Sequence, residues 1–457
     1  MLLLLIAPDY LWAQEDTDDY RLYKFYKEED DVLSWFEDDV DSLTLETSLS
    51  SAHRSRSYYS LRALNFSSRG ESRYSESYVF EGVDVSPTIS RLLSHLGTRS
   101  SIDADHRTSS SINCRTTSYH VHDTYPNVGH HRIGASLSGR SHLLSLSHSA
   151  CYGLSRTDVA LDDDWLLAEY VRLHTGPDLY VDGLFSNGLE AGVAMSRQWR
   201  NNSLYLCAML PWTRRSVRVA TTEEAYRLTG NHGYNPAWGF QNGKLRSSRI
   251  NSTLAPTIVA SWQRKLGLWT TMCLTTHIQF ERGGRSALAW CNAMTPMPDN
   301  YRYMPSYFTD DDDRRLVEEE WRYGNQRYTQ IDWDGLYHTN SVQSDGHAVY
   351  LVENKRTNAL NSSANVGFTT LFRGVVFYYG LRLDALSTRH FKIAEDLLGA
   401  DYLLDVDYFI RDDDTYGTKY RNNLRNTNLH VAEGGRYGYD YRLTKIATMA
   451  YGVAHWT

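Results

Sequence analysis

The most regular feature of the chain is a period of two in its apolar and polar positions, which sends successive side chains to opposite faces of a strand. In residues 268–280, Leu268, Met272, Leu274, Ile278 and Phe280 fall on one face, and Thr271, Cys273, Thr275, His277 and Gln279 on the other. In 375–385, Val375, Phe377, Tyr379, Leu381 and Leu383 alternate with Tyr378, Gly380, Arg382 and Asp384. In 257–263, Ile258, Ala260 and Trp262 alternate with Thr257, Ser261 and Gln263. Weaker alternation marks 131–138, 142–152, 183–199, 203–210, 364–372 and 440–456. Segment 165–174 fits poorly, because Glu169 falls on the face of Leu167, Val171 and Leu173. From residue 131 onward the pattern predicts about ten strands, each with one apolar and one polar face.

The connections add a second regularity. Short turns are expected at Arg200-Asn201-Asn202, Lys265-Leu266-Gly267 and Arg373-Gly374, and long connections at roughly 214–250, 283–362 and 386–439. Barrels of the outer membrane alternate short periplasmic turns with long outer loops, whereas a β-sandwich has no reason to do so over many strands. No apolar run reaches the roughly 18 residues of a membrane-crossing helix. Any crossing must therefore be made by strands. The expected fold class is all-β: a partial membrane β-barrel of about ten strands preceded by a small domain.

Composition agrees with that class. The chain holds 33 Tyr and 12 Trp, which suits aromatic girdles at two membrane interfaces, although a secreted β-sandwich or a sugar-binding protein could share that composition. Its net charge of -8 and the absence of clustered Lys and Arg exclude nucleic acid as a partner. Residues 1–14, from Met1-Leu2-Leu3-Leu4-Leu5-Ile6-Ala7 to Trp12-Ala13-Gln14, resemble a secretory signal peptide, without a basic start and interrupted by Pro8 and Asp9. Residues 15–50 form an acidic leader, 51–130 a small mixed domain rich in Ser, Arg and Tyr, and 131–457 the partial barrel. The five cysteines, Cys114, Cys151, Cys207, Cys273 and Cys291, show no metal-binding spacing and read as strand fillers.

Several longer motifs carry a family resemblance. Thr221-Thr222-Glu223-Glu224-Ala225-Tyr226, Asn231 through Lys244, Tyr301-Arg302-Tyr303-Met304-Pro305-Ser306-Tyr307-Phe308 and Glu395 through Tyr402 resemble outer-loop motifs of TonB-dependent receptors from Bacteroidetes-type bacteria. Phe66-Ser67-Ser68-Arg69-Gly70, followed by Glu76-Ser77-Tyr78-Val79-Phe80-Glu81-Gly82-Val83, resembles the plug signature of the same group. The resemblance implies that 51–130 is a plug-like domain and that the chain sits in the outer membrane. It implies as partners a TonB-type periplasmic energy-coupling protein, outer-membrane lipid, an extracellular solute and a surface lipoprotein, and it implies no cofactor. Family barrels have about 22 strands. A truncated receptor is therefore expected, with a non-transporting surface or structural β protein as the alternative.

Candidate chemistry concentrates in loops. Tyr234, Asn235, Trp238, Gln241 and Asn242 combine aromatic faces with amide donors, the mix that contacts a sugar, peptide or chelate. The plainer reading is packing at the barrel rim. Arg69 and Gly70 are expected to form a plug turn, with glycine permitting the turn and arginine pairing with lumen acids. Asp310-Asp311-Asp312-Asp313 and Asp412-Asp413-Asp414 lack the spaced ligands of a calcium loop and read as solvated loop charge. His120, His122, His130 and His131 raise a metal or haem site as a minor reading. No H-E-x-x-H, G-x-S-x-G, P-loop or G-x-G-x-x-G motif points to catalysis, and no catalytic or metal-ligating residue is assigned.

Overall fold

A computed structural model describes residues 76–93, 95–96, 98–103, 115–122, 131–137, 144–154, 164–178, 181–291, 293–407, 421–426 and 429–456. The chain divides into two units, Met1–Arg56 and Ser57–Thr457, and every described residue belongs to the second. The signal-like segment, the acidic leader, the Arg69-Gly70 turn and Asp412-Asp413-Asp414 lie outside the described residues.

The small domain comprises β1 (Glu76–Phe80), β2 (Val83–Asp84), helix α1 (Pro87–Leu93), β3 (Arg99–Asp103) and β4 (Arg115–His120). Its sheet has the order β2-β1-β4-β3, with β1 and β4 parallel and the other pairs antiparallel. The chain then runs antiparallel through β5 (His131–Leu137), β6 (Leu144–Leu154), β7 (Asp164–Pro177), β8 (Phe185–Trp199) and β9 (Asn202–Ser216). Helix α2 (Glu223–Thr229) and a hairpin of β10 (Trp238–Gln241) and β11 (Lys244–Ser247) intervene before β12 (Ile250–Leu254), β13 (Thr257–Lys265) and β14 (Thr270–Trp290). Helices α3 (Asp311–Arg322), α4 (Gln326–Thr329) and α5 (Trp333–Ser341) precede β15 (Tyr350–Phe372) and β16 (Val375–Asp396). A short pair, β17 (Leu403–Leu404) and β18 (His430–Val431), leads to β19 (Arg436–Trp456).

The large sheet is a meander in which β12 and β13 share one position between β9 and β14, so the described strands occupy ten positions from β5 to β19. The number expected from the alternation is thus found. Among the described residues, neither β5 nor β19 has a partner strand on its outer edge. The short turns fall where expected: Arg200–Asn201 joins β8 to β9, Leu266–Trp269 joins β13 to β14, and Arg373-Gly374 joins β15 to β16.

Two expectations are corrected. The long connections are shorter than 283–362 and 386–439, because β14 and β15 run on to Trp290 and back from Tyr350, and β16 reaches Asp396. In those extensions Arg285 pairs with Lys355 and Arg282 with Asn358, so both faces are polar and the apolar alternation is lost while the ladder continues. Segment 165–174, which fits the pattern poorly, is part of β7, paired on both sides with β6 and β8; two complete ladders outweigh one misplaced Glu169.

The wall is inverted relative to a soluble protein. On β14, Thr275 and His277 are 0% and 1% accessible, whereas Ile278 between the neighbouring strands is 52% accessible. Ile258 on β13 and Leu381 on β16 are 60% and 66% accessible, and Val193, Met195, Leu206, Leu210, Tyr379 and Leu383 are exposed on the same outer face. The small domain covers the polar inner face: α1 lies against β8 and β9, and β2 against β14 and β15.

Candidate functional site

The seat of the small domain is built from a two-residue hairpin. Glu81 and Gly82 turn β1 into β2 with φ of 41° and 90°, so Val79 pairs with Asp84 and Phe80 with Val83. A left-handed φ favours glycine at the second position. Space demands it as well, since a Cβ on Gly82 would lie 2.2 Å from Asn365 Nδ2 on β15. The Glu81 carboxylate accepts from Val121 N at 2.8 Å, which ties the turn to the end of β4.

Beyond the turn, Asp84 receives Arg382 Nη2 of β16 at 2.7 Å. The same guanidinium donates to Asp384 Oδ1 from Nε at 3.0 Å and from Nη2 at 2.9 Å. Sequence reasoning placed the seating arginine in the domain, at Arg69; the described ion pair has the arginine in the wall and the acid in the domain. Arg382 and Asp384 were legible as the charged pair on the polar face of 375–385, but nothing in the sequence joined them to Asp84.

Asn365 links the seat to the edge of the sheet. Its Oδ1 accepts from Tyr451 Oη of β19 at 3.2 Å. Tyr451 reaches it by crossing Gly367 and Gly380, which pair across β15 and β16; a Cβ on either would stand 2.8 Å and 2.6 Å from the phenol oxygen. Glycine is used there for close approach rather than for backbone freedom.

The opposite side of the seat is apolar. Ile89, Leu92, Leu93 and Leu96 pack with Phe80, Val85 and Val121 against Tyr170, Ala194, Tyr205, Cys207, Met209 and Val259 of the wall. Tyr205 Oη donates to Leu96 O at 3.0 Å, so its hydroxyl is satisfied inside that core. His95 stacks on Tyr170 with ring centroids 4.3 Å apart. His122 bonds Ser203 Oγ and Ser261 Oγ, each at 2.8 Å, so serine hydroxyls occupy the ring nitrogens that the metal reading needed. Ser261 in turn bonds Thr275 at 3.0 Å.

The long connections fold into a cap at the other end of the wall. Thr222 caps α2 by accepting from Ala225 N at 3.2 Å, and Glu224 accepts from Ser306 N and Oγ at 2.9 and 2.6 Å, docking the first connection on the second. Asp310 caps α3 through Asp312 N and Asp313 N, while Asp311 and Asp312 pair with Arg314 and Arg315. The expected loop charge is therefore a helix N-terminus, where carboxylates favour the exposed N–H groups. Ala225, Tyr234, Met304, Val317 and Trp321 form a core of the cap's own.

The five predicted ligand-contacting residues separate into two groups. Tyr234 and Asn235 are buried and hold the cap together, which corrects the expectation that they face a ligand. Tyr234 Oη donates to Thr329 O at 2.9 Å; Asn235 accepts from Val219 N and Ala237 N and donates to Asp182 O at 3.0 Å. Burial, together with nearby Asp299 and Asp182, pushes the Tyr234 phenol well up from its usual range. Burial also raises Asp182, against a lowering bond from Asn231, and raises Asp299 despite a bond from Thr221. Trp238 stands edge-on to half-exposed Phe240 at 5.4 Å. Asn242 is exposed at the tip of the β10–β11 hairpin, and Gln241 accepts from Arg246 Nη1 at 2.6 Å.

Arg246 is a residue that sequence reasoning missed. It donates to Asp396 Oδ2 at 2.6 Å and to Tyr337 Oη at 3.2 Å, and its guanidinium lies 4.2 Å from the Trp333 ring centroid. The hairpin, α5 and the end of β16 meet on this one side chain. Asn340 plays a similar part, donating to Tyr350 O and Leu397 O and accepting from Val349 N and Tyr350 N. Both sit in long connections without periodicity, where a single polar residue gives no signal of its contacts.

These features define a class: an all-β partial barrel, polar within and apolar without, with a small domain seated on its polar face and a folded cap at one end. No family model matches the chain, and no curated protein is significantly similar to it. Among solved structures it is similar to the ferric-catecholate import receptor Fiu of E. coli K12 in an open form, with TM-score 0.44, 9% identity, and coverage of 83% of this chain and 50% of that one. The closed form of Fiu gives 0.41, 10%, 84% and 47%, and the ferric preacinetobactin receptor BauA of Acinetobacter baumannii gives 0.39, 7%, 75% and 41%. The chain spans half or less of the length of these structures.

Proposed function

We propose that the chain is an outer-membrane receptor of the TonB-dependent kind, in a truncated form, which takes up a solute through a barrel gated by the seated domain. The observation that carries this reading is the inverted wall: Thr275, His277 and Gln279 of β14 are buried inside while Ile278 and Phe280 are exposed outside. Exposed aliphatic and aromatic residues repeating over adjacent strands suit lipid, not water. The seated domain supplies a plug, and the cap supplies an outer surface on which Gln241 and Asn242 are accessible to a solute. A TonB-type protein would pull from the periplasmic side, below the short turns. The solute is unassigned, and a surface lipoprotein resting on the cap is part of the proposal.

The test is expression in a Gram-negative host with and without an intact TonB system. The receptor reading expects the chain in the outer-membrane fraction, extractable only with detergent, and growth on a panel of iron chelates, oligosaccharides, peptides or cobalamin that depends on both the chain and TonB. Outer-membrane insertion without any TonB-dependent uptake would favour the non-transporting surface protein instead. A water-soluble chain recovered without detergent would remove both readings.

A further inference from the structure

The plug is held to the wall in two chemically different ways. Along α1 and Leu96 the contact is dominated by an apolar core with residues of β7, β8, β9 and β13, bordered by the bonds of His122 to Ser203 and Ser261 and of Tyr205 to Leu96 O. Along the Glu81–Asp84 hairpin it is polar, made by Asp84 with Arg382 and by Gly82 against Asn365. His277 projects from β14 on that polar side, and the charged groups acting on it are Asp384 and Arg382 of β16 and Asp84 of the plug. It is almost fully buried, and among the described residues neither ring nitrogen has a hydrogen-bond partner.

A buried imidazole without partners is costly while the seam is closed and is satisfied once water enters. Parting the polar contact exchanges protein hydrogen bonds for bonds to water. Parting the apolar contact exposes a large hydrocarbon surface, and the few bonds at its border regained from water do not offset that cost.

We propose that the solute path opens along the seam between the plug hairpin Glu81–Asp84 and strands β14–β16, while α1 stays seated on β8 and β9. This rests on the receptor reading. Thr275, His277, Gln279, Ser363 and Asn365 line the inner face there with hydroxyl, imidazole and amide groups, which fits a polar solute that exchanges hydrogen bonds as it moves.

The test compares thiols on the two sides of the plug. His277→Cys places one in the polar seam, and native Cys207, buried in the apolar core, serves as the other. Whole cells with and without TonB are treated with a membrane-impermeant biotin-maleimide, and each site is read by peptide mass spectrometry. The proposal expects several-fold more labelling at position 277 when TonB is present, with Cys207 protected in both cases. Ser363→Cys, on the strand paired with His277, reads the same seam should the first variant fail to insert. TonB-dependent labelling at Cys207, alone or equally with the seam, overturns the proposal and leaves the receptor reading standing. If no site responds to TonB, both fall.

Discussion

Arg382 and Asp84 meet at 2.7 Å across the seat of the small domain, the arginine 6% accessible and the aspartate 50%. Asp384 shares the guanidinium, so removing the arginine would leave two carboxylates facing each other. Arg382→Met is expected to loosen the seat by about 1–3 kcal/mol, less than for a fully enclosed pair because Asp84 is half in water. Faster protease cleavage within the small domain of the purified protein, with partial recovery in Arg382→Lys, would bear this out. An unchanged cleavage rate would show that the pair does not seat the domain.

Gly82 carries two separate constraints, and they can be divided experimentally. Gly82→Ala is expected to cost about 1–3 kcal/mol from the strained φ, with a further steric cost against Asn365. Adding Asn365→Ala should recover the steric part only. Equal melting temperatures for Gly82→Ala and the wild-type protein would refute both constraints.

In the cap, Asn340→Ala strips partners from buried backbone groups of Val349, Tyr350 and Leu397. The expected loss is about 3 kcal/mol, confined to the cap. Hydrogen exchange should rise at residues 333–350 and 397–404 while β13 and the half of β14 paired with it keep their protection. A uniform rise over the wall would mean that the cap is not an independent core.

The carboxyls of Asp182 and Asp299 are raised above their ordinary value near 3.8 by burial. Each therefore holds its proton more tightly in the folded cap than in the unfolded chain. Their contribution to stability is complete below the ordinary value and is lost as pH rises through the raised one. Urea titration followed by near-ultraviolet dichroism of the cap aromatics should show this acid-side gain, and Asp182→Asn should flatten it. A cap that weakens as pH falls from neutral toward 3.8 would contradict the assignment.

The sequence revealed the wall far better than the site. Strands in the apolar band announce themselves because one face must be oily, so β13, the lower half of β14 and β16 were legible directly from Ile258, Ile278 and Leu381. Above that band nothing selects for oil, and Arg285 facing Lys355 looks like loop. Helices α2 to α5 were hidden for a related reason: they bury few residues each, Ala225 alone in α2, and their cores assemble from distant segments. Tyr234 and Asn235 were singled out for their chemistry, yet a sequence cannot say whether an amide faces solvent or a neighbouring backbone.

One further feature lies where the shared position of β12 and β13 is interrupted. Ala255 N donates to Pro211 O and Phe280 N donates to Pro256 O, but neither proline can return a bond. Two rungs are therefore missing side by side, on either flank of a single ribbon. The ribbon between β9 and β14 is therefore tied by fewer bonds there than at the rungs above and below it, which makes that point a natural crease in the wall.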